Sequence, residues 1–462
     1  MEKKKKFEMP HGYVIIFAMT VLTAILANII PAGVYDRVVD AGGNSVVLAD
    51  SFHYVDKIGC SFADMFMAVE QGFVTGADVI FFIVFAYAFV YMLIKNGTFD
   101  AAVGFVLRKI GDRIELIIPI CMIIYGILGS TMGLFEETYG LIPVFMSMAV
   151  MLGYDAIVGG SIIYIGVAVG FAAATINPFT IGIAQEVAGV KLFSGIEYRI
   201  FCFVIFMAIA IAYVWRYARK VKKDPTKSYL YGEKMEMMES TLTRDELMEM
   251  RMNTRQILSC GLFVITIGIL LYGTIYQGWY IDEISTLFFV MMIVAGLVSG
   301  FTPSQICDYF IEAAKEMMYG ALLVGISRSI PIIMENACII DTVVHSLAAV
   351  LENFSGIVSG MGMLFVQNII NFFIPSGGGQ ALVTVPIMAP VGELVGVSKQ
   401  ITVLAYQFGD GFSNIFWPTS VFMMCGIMRM PINKWYKFIT PLFILLFIAS
   451  IILLGGAFVI GY

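Results

Sequence analysis

The chain has 462 residues, of which 59% are hydrophobic and 13% charged, and its formal net charge is -6. A water-soluble protein of this length needs a larger charged surface, so the composition excludes an ordinary soluble globule and points to a surface facing lipid. Most charge lies outside the apolar runs, no basic patch with interleaved aromatics points to nucleic acid, and seven scattered cysteines without a CxxC pair argue against a disulfide framework or a zinc site.

The N-terminus, MEKKKKFEMPHGYVIIF, has the charged start of a signal peptide. However, the apolar run from Tyr13 to Val34 is too long for a signal core and has no small-residue cleavage site in the right place. It is expected to be a retained first span. Runs long enough to cross ~30 Å of hydrocarbon recur at 12–34, 77–95, 157–183, 196–216, 256–277, 284–301, 318–334, 400–427 and 437–460, nine expected spans in all. Residues 115–152 and 359–396 are also apolar, but each is broken near its middle, by Gly129-Ser130-Thr131-Met132-Gly133 and by Pro375-Ser376-Gly377-Gly378-Gly379-Gln380. Their short arms predict re-entrant helical hairpins with tips inside the membrane, where exposed backbone is tolerated only among protein or water.

Basic clusters set the orientation. Lys3 to Lys6, Lys95 with Arg108, Lys109 and Arg113, Arg216 to Lys223, and Arg429 with Lys434 and Lys437 all fall on one side under this scheme. That side is expected to be the cytoplasm, with the N-terminus in it. The opposite loops, 35–60 and 335–358, carry mixed or acidic charge. The longest polar stretch, 217–255, reads as a cytoplasmic linker, with a short helix expected from the capping box Thr243-Arg-Asp-Glu246.

On either side of the linker the halves match: 1–216, with hairpin 115–152, and 256–462, with hairpin 359–396. Gly76 and Gly320, Pro143 and Pro386, Gly170 and Gly411, and Pro178 and Pro418 are offset by 240 to 244 residues. Amphipathic segments Phe62–Glu70 and Cys307–Lys315 precede a span in each half. Span 284–301 has no counterpart, and one extra crossing inverts everything after it. The expected fold is an all-α polytopic membrane protein of two inverted repeats, about nine transmembrane helices plus two re-entrant hairpins, with tips meeting from opposite faces.

The tips carry the chemistry. Glu136 and Glu137 at the first are costly inside an apolar hairpin. One of them is expected to face a cavity and hold a substrate amine, a sodium ion or a proton, the alternative being a structural pair. Ser130 and Thr131 beside them, with Asn177 and Asn414, are also expected to contact the substrate. At the second tip, Ser376, Gly377, Gly378, Gly379 and Gln380 let backbone amides and a helix N-terminus approach a carboxylate, the alternative being a plain turn. Each hairpin is followed by a polar, proline-broken span, with Thr175 and Asn177 before Pro178, and Asp410, Ser413 and Asn414 before Pro418. Freed carbonyls and hydroxyl oxygens there suit a hard cation, with Thr175, Ser413 and Asp410 the expected sodium ligands; a satisfied kink is the competing account. Arg328, inside a span, either clamps a substrate carboxylate or pairs with Asp410 or a tip glutamate. The three histidines (His11, His53, His345) lie at span ends or in loops and receive no role.

The strings GSTMGLFEETYG, ATINPFT, NFFIPSGGGQALVTVPIMAP and DGFSNIFWPTS, in this order, resemble the anaerobic dicarboxylate carriers, in particular their YfcC-like branch within the ion transporter superfamily. The resemblance covers nearly the whole chain. It implies a bacterial cytoplasmic membrane protein, a scaffold with a moving hairpin domain, elevator-type transport and a homodimer. Its substrates include dicarboxylates, fatty acids and, in some YfcC-like members, arginine and ornithine. The tips depart from the Ser-Asn-Thr found at both hairpins of many superfamily members. Secondary transport of a small carboxylate-bearing solute is expected, an amino acid first and a dicarboxylate second, with sodium or a proton as coupling ion. No span carries the nucleophile–base pair or metal cluster of an enzyme.

Overall fold

A computed structural model describes residues 12–39, 45–110, 115–233, 249–277, 279, 281–354 and 356–462. Lys3 to Lys6 and the helix expected from Thr243 lie outside them. The described helices are α1 Gly12–Ile29, α2 Phe62–Thr75, α3 Ala77–Lys95, α4 Thr98–Ile110, α5 Ile117–Met132, α6 Ile142–Met151, α7 Ala156–Ala172, α8 Ile183–Val187 and α9 Ile196–Lys223. They continue with α10 Thr254–Gln277, α11 Ile281–Ser299, α12 Pro303–Asn336, α13 Ile340–Leu351, α14 Gly356–Phe373, α15 Gly377–Leu394, α16 Lys399–Ser413, α17 Pro418–Ile427 and α18 Ile432–Ile460. The strands are β1 Gly33–Val34, paired antiparallel with β4 His53–Tyr54, and β2 Arg37–Val39, paired with β3 Ser45–Val47.

Local chemistry sets the helix boundaries. Ser61 and Asp64 close a capping box at α2, and Thr302 and Gln305 close another at α12. Pro178 and Pro418 sit at the first positions after the breaks, where a missing N–H costs nothing. Both expected hairpins are helix–break–helix, α5 to α6 through a 3-10 turn at Glu136–Leu141, and α14 to α15 through residues 374–376. The spans expected at 157–183 and 400–427 break at 173–177 and 414–417, and a π-turn at Pro178–Gly182 follows the first break.

The helices pack in two groups. In one, α12 lies against α1, α2 and α3, while α3 also packs on α11. In the other, α7 packs on α5, α6, α9 and α16, and α16 on α14, α15 and α18. Contacts of α17 with α12 and of the Glu136–Leu141 turn with α3 join the groups. Glycines make the α5–α7 approach close. A Cβ at Gly170 would lie 1.9 Å from Gly126 O, and one at Gly129 would lie 2.6 Å from Val167 O.

Charge gathers at one end of the bundle. There Lys95 pairs with Glu312, Arg429 with Glu316, Lys434 with Glu233 and Arg219 with Glu115, and Arg108 reaches Met250 O. Asp155 anchors the same end. Its carboxylate accepts from Val158 N at 3.0 Å, capping α7, and from the hydroxyls of Tyr217 and Ser228, both at 2.6 Å. Asp155→Ala removes a cap and two charge-assisted bonds, and is expected to cost about 2–4 kcal/mol. A thermal unfolding scan in detergent would show this as a lowered midpoint, less lowered for Asp155→Asn. At the other end Asp341 accepts from Arg37 Nη2 at 2.8 Å and Tyr35 N at 2.9 Å. His345, assigned no role from sequence, meets the Tyr35 hydroxyl at 2.8 Å and stacks on Phe52.

Several boundaries differ from expectation. The first span stops at Ile29 because residues 33–34 join β4. Span 318–334 and the amphipathic segment before it form one helix, α12, capped at Thr302 and bent by 42° between Tyr319 and Ala321. Five described helices are long and apolar enough to cross a membrane, six with the bent pair. One of the five is α14, expected to be a short hairpin arm. Its 18 residues rise about 27 Å, close to the hydrocarbon thickness.

Candidate functional site

Both hairpin tips and both helix breaks meet at one cavity of about 510 Å³. The first tip contributes Gly133, Phe135 and Glu136; the second contributes Pro375, Ser376, Gly377 and Gly378. The breaks supply Phe179 and Thr180 on one side, and Asn414, Thr419 and Ser420 on the other. Arg328 and Ser327 from α12, Asp78 from α3 and Tyr139 complete the polar lining.

At the first tip, α5 ends on Gly133 with φ +72°, a left-handed conformation, and a Cβ there would lie 2.5 Å from Asn177 Oδ1. Ser130 and Thr175 do not line the cavity. They satisfy each other and the broken backbone: Ser130 Oγ donates to Ala173 O at 3.0 Å, meets Thr175 Oγ1 at 3.1 Å, and Thr175 N donates to Ser130 O at 2.9 Å. Thr131 turns back on its own helix, donating to Ile127 O at 2.7 Å. Asn177 Oδ1 caps the π-turn through Phe179 N at 2.9 Å, while its Nδ2 is buried without a partner. Glu136 therefore represents the acidic pair at the cavity; the side chain of Glu137 lies outside the described residues.

At the second tip, Ser376 caps α15 by accepting from Gly379 N at 3.3 Å. The N–H groups of Gly377 and Gly378, first in the helix, have no intrahelical partner by geometry. A Cβ on Gly377 would meet Thr180 Cγ2 at 2.7 Å, Asp410 Oδ2 at 3.1 Å and Phe171 Cζ at 3.2 Å. Gly379 and Gln380 are not in the lining. Gln380 is fully buried and braces the hairpin, donating to Gln367 Oε1 at 2.7 Å, a network that Thr384 closes.

Behind the tip, Asp410 is fully buried and accepts from Asn371 Nδ2 at 2.7 Å through Oδ1. Its Oδ2 and the Thr180 hydroxyl are buried with no hydrogen bond. Hard oxygens in that state suit a proton or a small cation. Of the other expected sodium ligands, Thr175 is held by Ser130, and Ser413 Oγ donates to Asp410 O at 2.7 Å. Thr180 and Asp410 approach each other around Gly377, whose Cβ position lies 2.7 Å from Thr180 Cγ2 and 3.1 Å from Asp410 Oδ2.

The pairing of Arg328 with Asp410 does not form. Arg328 Nη1 instead donates to Thr75 O at 2.9 Å, and Nη2 lies 4.0 Å from Asp78 Oδ1. Asp78 was missed by sequence reasoning. Its signal was an acid in the first turn of an apolar span, directly after Gly76.

Residues 9–459 match the family model described as C4-dicarboxylate anaerobic carrier. Over 502 aligned positions the chain is 30% identical to YfcC of Escherichia coli K12, a candidate basic amino acid antiporter, covering 99% of this chain and 98% of that one. An uncharacterized protein of Haemophilus influenzae Rd is 27% identical over 497 positions, covering 98% and 97%. Among solved structures, the YdaH transporter of Alcanivorax borkumensis shows a TM-score of 0.45 at 15% identity, covering 98% of this chain and 99% of that one. MtrF of Neisseria gonorrhoeae, described with a class of antimetabolite efflux pumps, shows 0.42 at 18% identity, covering 96% and 94%.

Proposed function

Because the chain belongs to the C4-dicarboxylate anaerobic carrier family, it is a membrane transporter and not an enzyme, and we propose that it exchanges a small amino acid, best a basic one such as arginine or ornithine. The observation that carries this reading is the asymmetry of the cavity. Glu136 stands on the first tip, while the second offers the helix N-terminus at Gly377 and Gly378, with Arg328 in the same wall. An ammonium or guanidinium suits the first, and a carboxylate suits the second. The 30% identity to a candidate basic amino acid antiporter supports the same choice. A dicarboxylate is the second reading, favoured by the family description and by Arg328 with the glycine amides.

Purified protein in proteoliposomes loaded with ornithine is expected to take up external arginine, with succinate and butyrate failing to compete. Uptake of dicarboxylates alone, without amino-acid competition, would sink the amine role given to Glu136 and Glu137.

The working model has two inverted repeats, 1–216 and 256–462, joined by linker 217–255. The matching prolines after each break and the unpaired α11 support it. The hairpin group of helices moves against the α1–α3 and α10–α12 group in an elevator-type exchange, as a homodimer in a bacterial inner membrane. The basic end faces the cytoplasm. Asp410, with Thr180 near it, holds the coupling proton or sodium. Transport unaffected by collapse of both gradients would instead mean pure exchange.

A further inference from the structure

We infer that Arg429 is a latch between the two groups of helices, closed on Glu316 here and opened in each exchange cycle. This rests on the motion of the hairpin group proposed above, and it holds for any solute. The latch sits at the basic end of the bundle. Arg429 Nη2 donates to Glu316 Oε2 at 2.7 Å, and the Tyr87 hydroxyl donates to the same oxygen at 2.5 Å.

The source of the cation distinguishes this pair. Along α3 and α12 the same rung is built twice. In the neighbouring rung the Tyr91 hydroxyl donates to Glu312 at 2.7 Å, and the cation is Lys95 of α3 itself, at 2.9 Å. That rung lies wholly inside one group. Glu316, one turn further along α12, takes its cation from the corner between α17 and α18. This corner is seated on the hairpin group. Met428 is buried, and a Cβ on Gly160 of α7 would lie 2.4 Å from its Cε. Trp435 packs on Tyr164 of α7 with ring centroids 5.7 Å apart. The Arg429–Glu316 pair therefore runs between groups that slide past each other, and a shift of a few ångströms breaks it.

A side chain at position 429 also has a conformational cost. Arg429 N donates to Gly426 O at 3.1 Å and Met430 N to Cys425 O at 2.9 Å, a helix ending that favours glycine at this position. Arg429 occupies it with φ +48°, in left-handed backbone. Closing the helix needs no guanidinium. The ion pair gives one a use, and the strain lies where the two groups meet. The side chains of Arg429 and Glu316 are 21% and 25% exposed, so water and salt screen them less than an open surface pair.

The test reads the two arrangements by pulsed distance measurements between nitroxides in proteoliposomes. The labels are carried on p-acetylphenylalanine replacing Ile123 of α5 and Val264 of α10, both exposed, which leaves the native cysteines alone. Labelled chains are diluted with unlabelled ones. Wild-type protein is expected to populate two distances, the one of this structure in excess. Arg429→Gly, Arg429→Ala and Glu316→Gln should each lower the ratio of that population to the other by about fivefold or more. The exchanged pair, Arg429→Glu with Glu316→Arg, should restore much of it. Arg429→Gly should melt higher than Arg429→Ala, because both lose the pair and only glycine relieves the backbone, yet both should shift the ratio alike. A ratio that follows the melting midpoint, or keeps its wild-type value in all the single variants, overturns the latch alone. One unmoved distance in wild type and variants alike, with or without arginine or succinate, overturns the latch and the moving-group reading together.

Discussion

Gly377→Ala is expected to abolish exchange while leaving a folded protein. The added Cβ would stand 2.7 Å from Thr180 Cγ2, 3.1 Å from Asp410 Oδ2 and 3.2 Å from Phe171 Cζ. None of these can easily yield. Thr180 lies within the π-turn at 1% exposure, Asp410 is fully buried, and Phe171 packs against Phe135 with ring centroids 5.1 Å apart. The tip must therefore move. Moving it loosens the bond from the Tyr406 hydroxyl to Gly377 O and carries the amides of Gly377 and Gly378 away from the cavity. Overpacking of this kind costs about 1–3 kcal/mol, a tolerable loss for a helical membrane protein. A displacement near 1 Å at a positioning group lowers rates on the order of 10², and transport should follow. Gly379→Ala is the control. Its Cβ would meet Ser376 Oγ at 3.1 Å, and it does not line the cavity. Initial rates in proteoliposomes, set beside melting midpoints, decide the matter. Wild-type rates in Gly377→Ala would mean the tip does not bind at its first two amides.

The backbone plan of this site was legible in the sequence, and its wiring was not. Prolines and glycines act locally, so Pro178, Pro418 and the two tips marked the breaks from sequence position alone. Polar side chains in a broken helix are harder to read, because a broken helix also orphans carbonyls that need donors. Ser130 and Thr175 looked like ligands, yet they serve Ala173 O, Ser130 O and each other. Gln380 likewise holds two arms of one hairpin together through Gln367. The pairs that decide charge lie far apart in the chain. Arg328 meets Thr75 across 253 residues, and no spacing rule links them. Its true neighbour, Asp78, was hidden in a span read as plain hydrocarbon-crossing helix. Asp410 fared better, because a lone acid in an apolar run is conspicuous. Thr180, the last residue of the string ATINPFT, drew no reading of its own.

Asp410→Asn is expected to uncouple transport from its ion. The carboxylate sits in a pocket with no exposure, satisfied on one oxygen by Asn371 and on the other by nothing among the described residues. Leaving a charge so is costly, and a bound proton or small cation relieves it. Oδ2 lies 3.1 Å from the Cβ position of Gly377, so occupancy there would be felt directly at the substrate tip. Asparagine keeps the size and one hydrogen-bonding oxygen but removes the charge that would hold the cation. Wild-type uptake is expected to vary with sodium or with pH. The variant should lose that dependence, with the driven rate lowered on the order of 10², and its melting midpoint should no longer respond to sodium. Thr180→Val removes one oxygen and keeps the charge, so it should shift the half-saturating cation concentration by about tenfold without erasing the response. The competing account is that Asp410 only braces Asn371. It predicts the reverse pattern: a lower melting midpoint and a lower rate in Asp410→Asn, with the ion dependence of transport intact. A single titration of sodium and pH against both variants separates the two, because a brace alters how much protein is folded, whereas a cation site alters what the folded protein responds to.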